Sequence, residues 1–328
     1  MHRSMIAAGF VAAGLAGLAG LATPSSTALA QAWPAKPIRI VVPLTAGSAS
    51  DVMGRIVADQ LSQQLGQPII VENRPGAGNT IGMSAVAKAE PDGHTLLVNS
   101  STHTVTPATR SNLGFEMSDL AAIVPLGNMP VVMCFNPAKG YKSLAEFVAY
   151  AKANPGKVTY TSAGAGNSSH LNGERFRLAA GIEAVHLPMK GAPDALTEVI
   201  AGRSDFYFAP LVNALPLLKD KQVVALAVSG SQRASALPDV PTTVQAGYPN
   251  SEYNFWVGMF APAKTAAPIR EKLYAEMAKA LANPAIQDKL KNLGADPMAL
   301  NSKEFEALVK QEIETNTALV TAAGIKVK

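Results

Sequence analysis

The sequence predicts an α/β protein of two units, each a mainly parallel sheet flanked by helices, with a ligand cleft between them. Three observations carry that expectation. Runs rich in Val and Ile alternate with helical periodicity through the first half of the chain. The alternation breaks and restarts near residue 158, and in each half one strand hands over to a helix through a loop of small residues.

The elements follow in order. Residues 1–32 are set aside: His2 and Arg3 precede an apolar run over 5–22, and "ALA" or "AQA" offers a small-residue cleavage site. This is the pattern of a secretory signal peptide. The competing reading, a retained anchor, fits poorly with a run so rich in Ala and Gly. The first unit then reads as strand "IRIVV", a helix carrying Val52, Ile56, Val57, Leu61 and Leu65, strand "PIIVEN", a helix over 80–89, and strand "HTLLVN". After the apolar strand "VVMCF", Ser143 and Glu146 have capping-box spacing ahead of a stripe of Leu144, Phe147, Val148 and Ala151.

The second unit runs through "VTYTSAG", a helix over 169–180, "AVHLPM", a helix over 192–201, "DFYFAP", a short helix over 214–219 and "VVALAVS". After "FWVGMFAP", three helices are expected over 268–282, 284–293 and beyond Asn301, where Asn301 and Glu304 form a second capping box.

The loop "PLTAGSASD", residues 43–51, offers no bulky side chain between a strand and a helix. The first amides of that helix lack partners within it, and the helix dipole favours an anion there. Gly47 leaves the backbone open to approach, while Ser48 and Ser50 add hydroxyls, one of them expected as the N-cap. "TSAGAGNSSH", residues 161–170, repeats the arrangement in the second unit. Two such cups suit a small anion held from both sides, at the carboxyl ends of the strands. The plainer reading, a tight turn whose small residues merely fit, competes with it.

Composition and motifs narrow the function classes. The chain is 48% hydrophobic and 16% charged, with a formal net charge of +4 and no Lys or Arg cluster suited to nucleic acid. Cys134 stands alone, so no internal disulfide is possible. "PGAGNTIG" spaces its glycines as G-x-G-x-x-x-G and lacks the acidic residue of a dinucleotide site; it reads as a turn and helix start with one polar contact from Asn79. His94, His103, His170 and His186 form no metal-ligand spacing, and no nucleophile elbow occurs. Neither a cofactor nor catalysis is expected. Lys190, before a Gly turn, reads as a solvated loop charge.

The stretches "WPAKPIRIVVPLTAGSASD", "IIVENRPGAGNTIGMSAVAKAEPDGHTLLV", "YTSAGAGNSSHLNGERF", "ALPDVPTTVQAGYP" and "AAGIKVK" resemble the extracytoplasmic receptors of the tripartite tricarboxylate transporter family, also called Bug receptors. The resemblance implies a type 2 periplasmic binding protein that closes on a small carboxylate by hinge motion and serves a membrane permease. The same ligand chemistry would suit a sensor subunit reporting to a signalling partner. It further implies a first domain of 33–133 plus 251–328 and a second of 134–250. Carried onto this chain, the ligand contacts fall on Thr45, Ala46, Gly47, Ser48 and Ser50, on Ser100, Ser101 and Thr102, on Ala163, Gly164, Asn167 and Ser168, and on Asp205 and Ala209. The first loop departs from the Phe-Pro-Pro-Gly-Gly of many relatives. Met189 and Ala209 stand where those relatives carry Tyr and a second Asp, which removes a counter-ion for a ligand ammonium.

Overall fold

The computed structural model describes residues 33–322 together with 324 and 325, so the expected signal peptide lies outside the described residues. Two five-stranded sheets organise the chain. The first comprises β1 (Ile38–Val42), β2 (Ile69–Asn73), β3 (Thr95–Ser100), β4 (Leu120–Met129) and, from far along the chain, β10 (Phe255–Pro262), in the order β2-β1-β3-β10-β4. The second holds β5 (Val131–Phe135), β6 (Val158–Ser162), β7 (Ala184–Pro188), β8 (Phe206–Pro210) and β9 (Val224–Val228), in the order β7-β6-β8-β5-β9.

Each sheet is mixed where the sequence suggested a mainly parallel one. β1 lies parallel to β2 and β3, and β6 to β7 and β8, as alternating strands and helices require. The fourth strand of each sheet runs the other way: β10 is antiparallel to β3 and β4, and β5 to β8 and β9. These two strands arrive from the opposite lobe, which fixes their direction. Val131, Val132 and Met133 already pair with β8 and β9, so the second sheet begins before the expected boundary at residue 134.

The helices are α1 (Ala49–Leu65), α2 (Thr80–Ala87), α3 (Thr102–Thr109), α4 (Leu144–Ala153), α5 (Ser168–Ala180), α6 (Ala192–Ile200), α7 (Leu211–Lys219), α8 (Ala267–Ala282), α9 (Pro284–Asn292) and α10 (Ser302–Ala322). α4 buries the expected Leu144, Phe147, Val148 and Ala151. Its cap is only half a box: Ser143 Oγ accepts from Glu146 N at 3.2 Å, while Glu146 reaches back to Lys142 N rather than to Ser143 N. Asn301 and Glu304 form both halves of theirs.

Two elements escape the periodicity. β4 contains Pro125 and Gly127, and its register against β10 shifts on either side of the Gly258–Met259 pair, irregularities that accommodate the proline. α3 reads THTVTPAT, with Val105 its one large apolar residue, yet most of it is buried. The Thr106 hydroxyl donates back into the helix, to Thr102 O at 2.8 Å, which makes a polar helix tolerable in the interior.

The second lobe's core is aromatic: Phe147 meets Phe135 at 4.8 Å and Phe206 at 5.3 Å between ring centroids, both edge to face. The first lobe has a counterpart on one side of its sheet, where Phe305 of α10 sits edge-on to Trp256 at 5.1 Å and 5.5 Å from Phe260. Gly258 makes room for it, since a Cβ there would overlap the Phe305 ring. The Phe305→Ala variant is expected to lose about 3–5 kcal/mol of unfolding free energy, read by urea titration of tryptophan fluorescence.

Candidate functional site

The carboxyl ends of the parallel strands in the two lobes face each other. On the first lobe, the loop after β1 turns at Gly47 (φ 78°) and enters α1 through Ser48, which has N-cap backbone geometry but makes no capping hydrogen bond. Ser50 does not cap either, contrary to expectation: the buried hydroxyls of Thr45, Ser48 and Ser50 have no partner. The amides of Ala49 and Ser50 likewise donate to nothing among the described residues. The loop is braced from behind, where Asp51 accepts from Gly47 N at 2.9 Å, from Arg55 Nε at 3.0 Å and from Asn73 Nδ2 at 3.0 Å. Burial raises the Asp51 pKa, but these donors outweigh it and hold the carboxyl below its ordinary value.

The loop after β3 supplies Ser100 and Thr102. Ser101 turns away, its Oγ 3.2 Å from Tyr253 Oη. Behind it, Thr104 Oγ1 and Trp256 Nε1 donate to Glu312. Burial pushes the Glu312 carboxyl up to about 7, against these hydrogen bonds and the Arg175 charge.

On the second lobe, Asn167 caps α5, its Oδ1 accepting from His170 N at 3.0 Å and Ser169 Oγ at 2.9 Å. Here the cup is not open. Ala163 N donates to Ser169 Oγ, Gly164 N to Ser162 Oγ and Gly166 N to His170 Nδ1. Ser168 N donates at 3.1 Å to the Thr102 hydroxyl of the first lobe. His170 stacks on His186 at 3.9 Å, and His186 Nε2 lies 2.6 Å from Ser162 Oγ. Burial pulls His186 down to about 3 and lowers His170, so both rings are neutral.

The lobes touch through a polar seam. Thr102 Oγ1 donates to Ser168 Oγ at 2.9 Å, Thr109 Oγ1 to Gly166 O at 3.0 Å, Arg110 Nη2 to Ala165 O at 3.3 Å and Asn213 Nδ2 to Gly47 O at 2.6 Å. Thr45 presses against Gly191, where a Cβ would overlap Thr45 Oγ1. Between the lobes remains a cavity of about 20 Å³, the room of about one water. Ser48, Ser100, Thr102, Ala163, Asn167, Ser168, Ser169 and Tyr207 line it, with Leu44, Ala49, Ala192, Pro210 and Phe255. None of these side chains is charged. A larger cavity of about 470 Å³ lies on the outer face of the first lobe against α8, α9 and β4, away from both loops.

Of the residues expected from sequence, the structure thus brings Ser48, Ser100, Thr102, Ala163, Asn167 and Ser168 to the cavity. Thr45, Ala46, Gly47, Ser50, Ser101 and Gly164 are not in its lining. The Gly47 expectation changes: an added Cβ would meet only Pro193 at an ordinary 3.5 Å, so the left-handed φ, not ligand approach, requires glycine there. Asn79 donates to Asn99 Oδ1 at 3.1 Å and supports the β3 loop from below. Asp205 is a correction. It immediately precedes β8, at the end remote from the cleft, where Lys139 Nζ lies 2.7 Å from its Oδ1 and Thr159 N donates to its Oδ2. Ala209 is packed opposite Val132 and does not line the cavity. Residues 205, 207 and 209 share one face of β8, and of these Tyr207, missed in the sequence, lines the cavity.

The profile of the tripartite tricarboxylate transporter family receptor, TctC, matches residues 53–325. The chain belongs to this family. Among solved structures, the periplasmic binding protein BugD is 31% identical with a TM-score of 0.85, covering 90% of this chain and 99% of that one. An R. palustris protein solved with adipate is 28% identical (TM-score 0.86; 90% and 99% covered). MatC from Rhodopseudomonas palustris, solved with malate, is 31% identical (TM-score 0.84; 88% and 100% covered). This TctC-family chain is accordingly a solute-binding receptor with the two-lobed fold of periplasmic binding proteins.

Two measurements probe the seam and its support. Gly191 has extended backbone (φ −174°) that any residue adopts, so Gly191→Ala should fold normally yet keep the lobes apart. With ligand bound, its radius of gyration by small-angle scattering should stay above the wild type's, and adding Thr45→Ala should restore the wild-type value. For Glu312, the folded pKa of about 7 exceeds the ordinary value of 4.5, so the native state binds the extra proton between those limits. Stability contributed by this group is therefore lost as pH rises from about 4.5 to 7. Glu312→Gln should raise unfolding free energy at pH 8 by on the order of 2 kcal/mol and change it little at pH 4.5, read by urea titration at each pH.

Proposed function

We propose that this receptor captures a small organic acid between its lobes in the periplasm and delivers it to the membrane permease of a tripartite tricarboxylate-type transporter. The observation that carries the reading is the set of unpartnered donors at the cleft: the Ser48 hydroxyl and the Ala49 and Ser50 amides at the start of α1. A buried donor without an acceptor costs stability, and a carboxylate supplies acceptors in place of water. The relatives solved with adipate and malate favour the same ligand class.

Magnitudes fit the proposal. A helix N-terminus contributes up to ~2 kcal/mol, and a hydrogen bond to a charged acceptor about 1.5–3 kcal/mol. Micromolar binding needs about 8 kcal/mol, which a helix start and two or three hydroxyls reach without any cation. Thr102 Oγ1 occupies the acceptor position at Ser168 N, so an arriving carboxylate oxygen replaces a hydroxyl as the lobes reopen and reclose. The cavity lining holds no carboxylate, so nothing in it would neutralise a ligand ammonium.

Calorimetry with mono-, di- and aromatic carboxylic acids is therefore expected to find a micromolar binder, with amino acids failing. Tight binding of aspartate or glutamate would overturn the ligand class. Failure of every acid, together with native mass spectrometry of the purified protein revealing a non-acidic ligand, would overturn the reading as a whole.

A further inference from the structure

Tyr207 is a fully buried residue whose hydroxyl has no hydrogen-bond partner. Its strand neighbours cannot supply one. Across β6 lies Thr161, whose hydroxyl donates to Ala195 O, and across β5 lies Cys134 in the apolar core. Ser169 Oγ is near enough to favour the ionised phenol, yet it donates its proton to Asn167 Oδ1 and accepts from Ala163 N, and Tyr207 Oη is left without a partner. Burial drives the phenol's pKa far above its ordinary value, so the group is a neutral donor. A buried donor left open in this way disfavours folding unless something else supplies the acceptor.

The surroundings identify that acceptor. Tyr207 lines the interlobe cavity together with Ser48, the other unpartnered hydroxyl in the lining, and the two stand on opposite lobes. The cavity is so small that one oxygen-bearing group in it meets both walls. Phenylalanine in place of tyrosine would fill the same space without an open donor, so packing alone does not account for the hydroxyl.

Building on the receptor reading above, we infer that Tyr207 determines specificity for the acid: its hydroxyl and that of Ser48 donate to the same ligand carboxylate from opposite lobes. The carboxylate then bolts the lobes together, and a neutral amide, which offers a single acceptor oxygen, holds them less well. Ligand identity and lobe closure are read by one pair of hydroxyls.

The test compares wild type, Tyr207→Phe, Ser48→Ala and the double variant against acetate, benzoate, malate and adipate, with benzamide as the neutral control. For whichever acid the wild type binds, Tyr207→Phe is expected to lose tenfold or more in affinity and to bind benzamide no worse than the wild type does. Its ligand-free melting temperature should be unchanged or higher. Ser48→Ala should lose a similar factor, and the double variant less than the product of the two, because both contact one group. Small-angle scattering should detect acid-induced compaction in the wild type and not in Tyr207→Phe at saturating acid.

Acid binding and compaction retained by Tyr207→Phe would overturn this inference and leave the receptor reading standing. Losses that multiply in the double variant would show that the hydroxyls act on separate groups, which also overturns it. If Tyr207→Phe melts lower than the wild type, full affinity in Ser48→Ala decides against the shared carboxylate. If the wild type binds none of the four acids, the carboxylate reading fails and takes this inference with it.

Discussion

Hydrogen-bond satisfaction at the seam between the lobes is the constraint from which the rest of the structure follows. The facing surfaces are made of backbone ends and short hydroxylated side chains, and burying them together removes water from every donor. Most find partners across the gap, as Thr102, Thr109, Arg110 and Asn213 do. The remainder, around Ser48 and Tyr207, do not. In the lining of the interlobe cavity, the Ser48 and Tyr207 hydroxyls are therefore donors for which the described residues provide no acceptor.

The two cups differ in a way their similar sequences conceal. At the second, Ser162, Asn167, Ser169 and His170 answer the loop amides from within, which makes it a stiff wall. At the first, Asp51 and Arg55 brace only the outer part of the loop and leave the mouth of α1 open. Under the proposed reading, anion capture by paired helix starts, as the sequence suggests it, would become capture by one helix start set against a pre-ordered surface of hydroxyls, with the second lobe offering side-chain donors more than main-chain ones.

Much of this was legible in the residues. Strand and helix order followed from apolar patterning, because β1 and β6 are nearly continuous buried runs and α1 buries Met53, Val57, Ala58 and Leu61 along one face. Small-residue loops marked the cleft, because only they leave a helix start accessible. The rest depended on facts that local pattern does not encode. α3 has almost no apolar stripe and is stabilised by its own threonine hydroxyls in a polar interior. β4 carries Pro125 in its middle and finds its partner strand more than a hundred residues away. Along β8 the face was identifiable from alternation, yet which of Asp205, Tyr207 and Ala209 reaches the cavity depends on where the strand ends relative to the cleft. The His170–His186 stack joins residues from α5 and β7 that no spacing rule connects.

The placement of β10 bears on how the polypeptide acquires its shape. β5 to β9 are contiguous in the chain, so the second lobe has its whole sheet once residue 228 has emerged. The first lobe must wait, because the ribbon separating β3 from β4 is encoded at Phe255–Pro262, and Phe305 arrives later still to cover it. Such distant pairings slow assembly, since a large loop has to close before its contacts form. An amino-terminal half that stays unfinished until the carboxyl-terminal half appears is a built-in delay in folding.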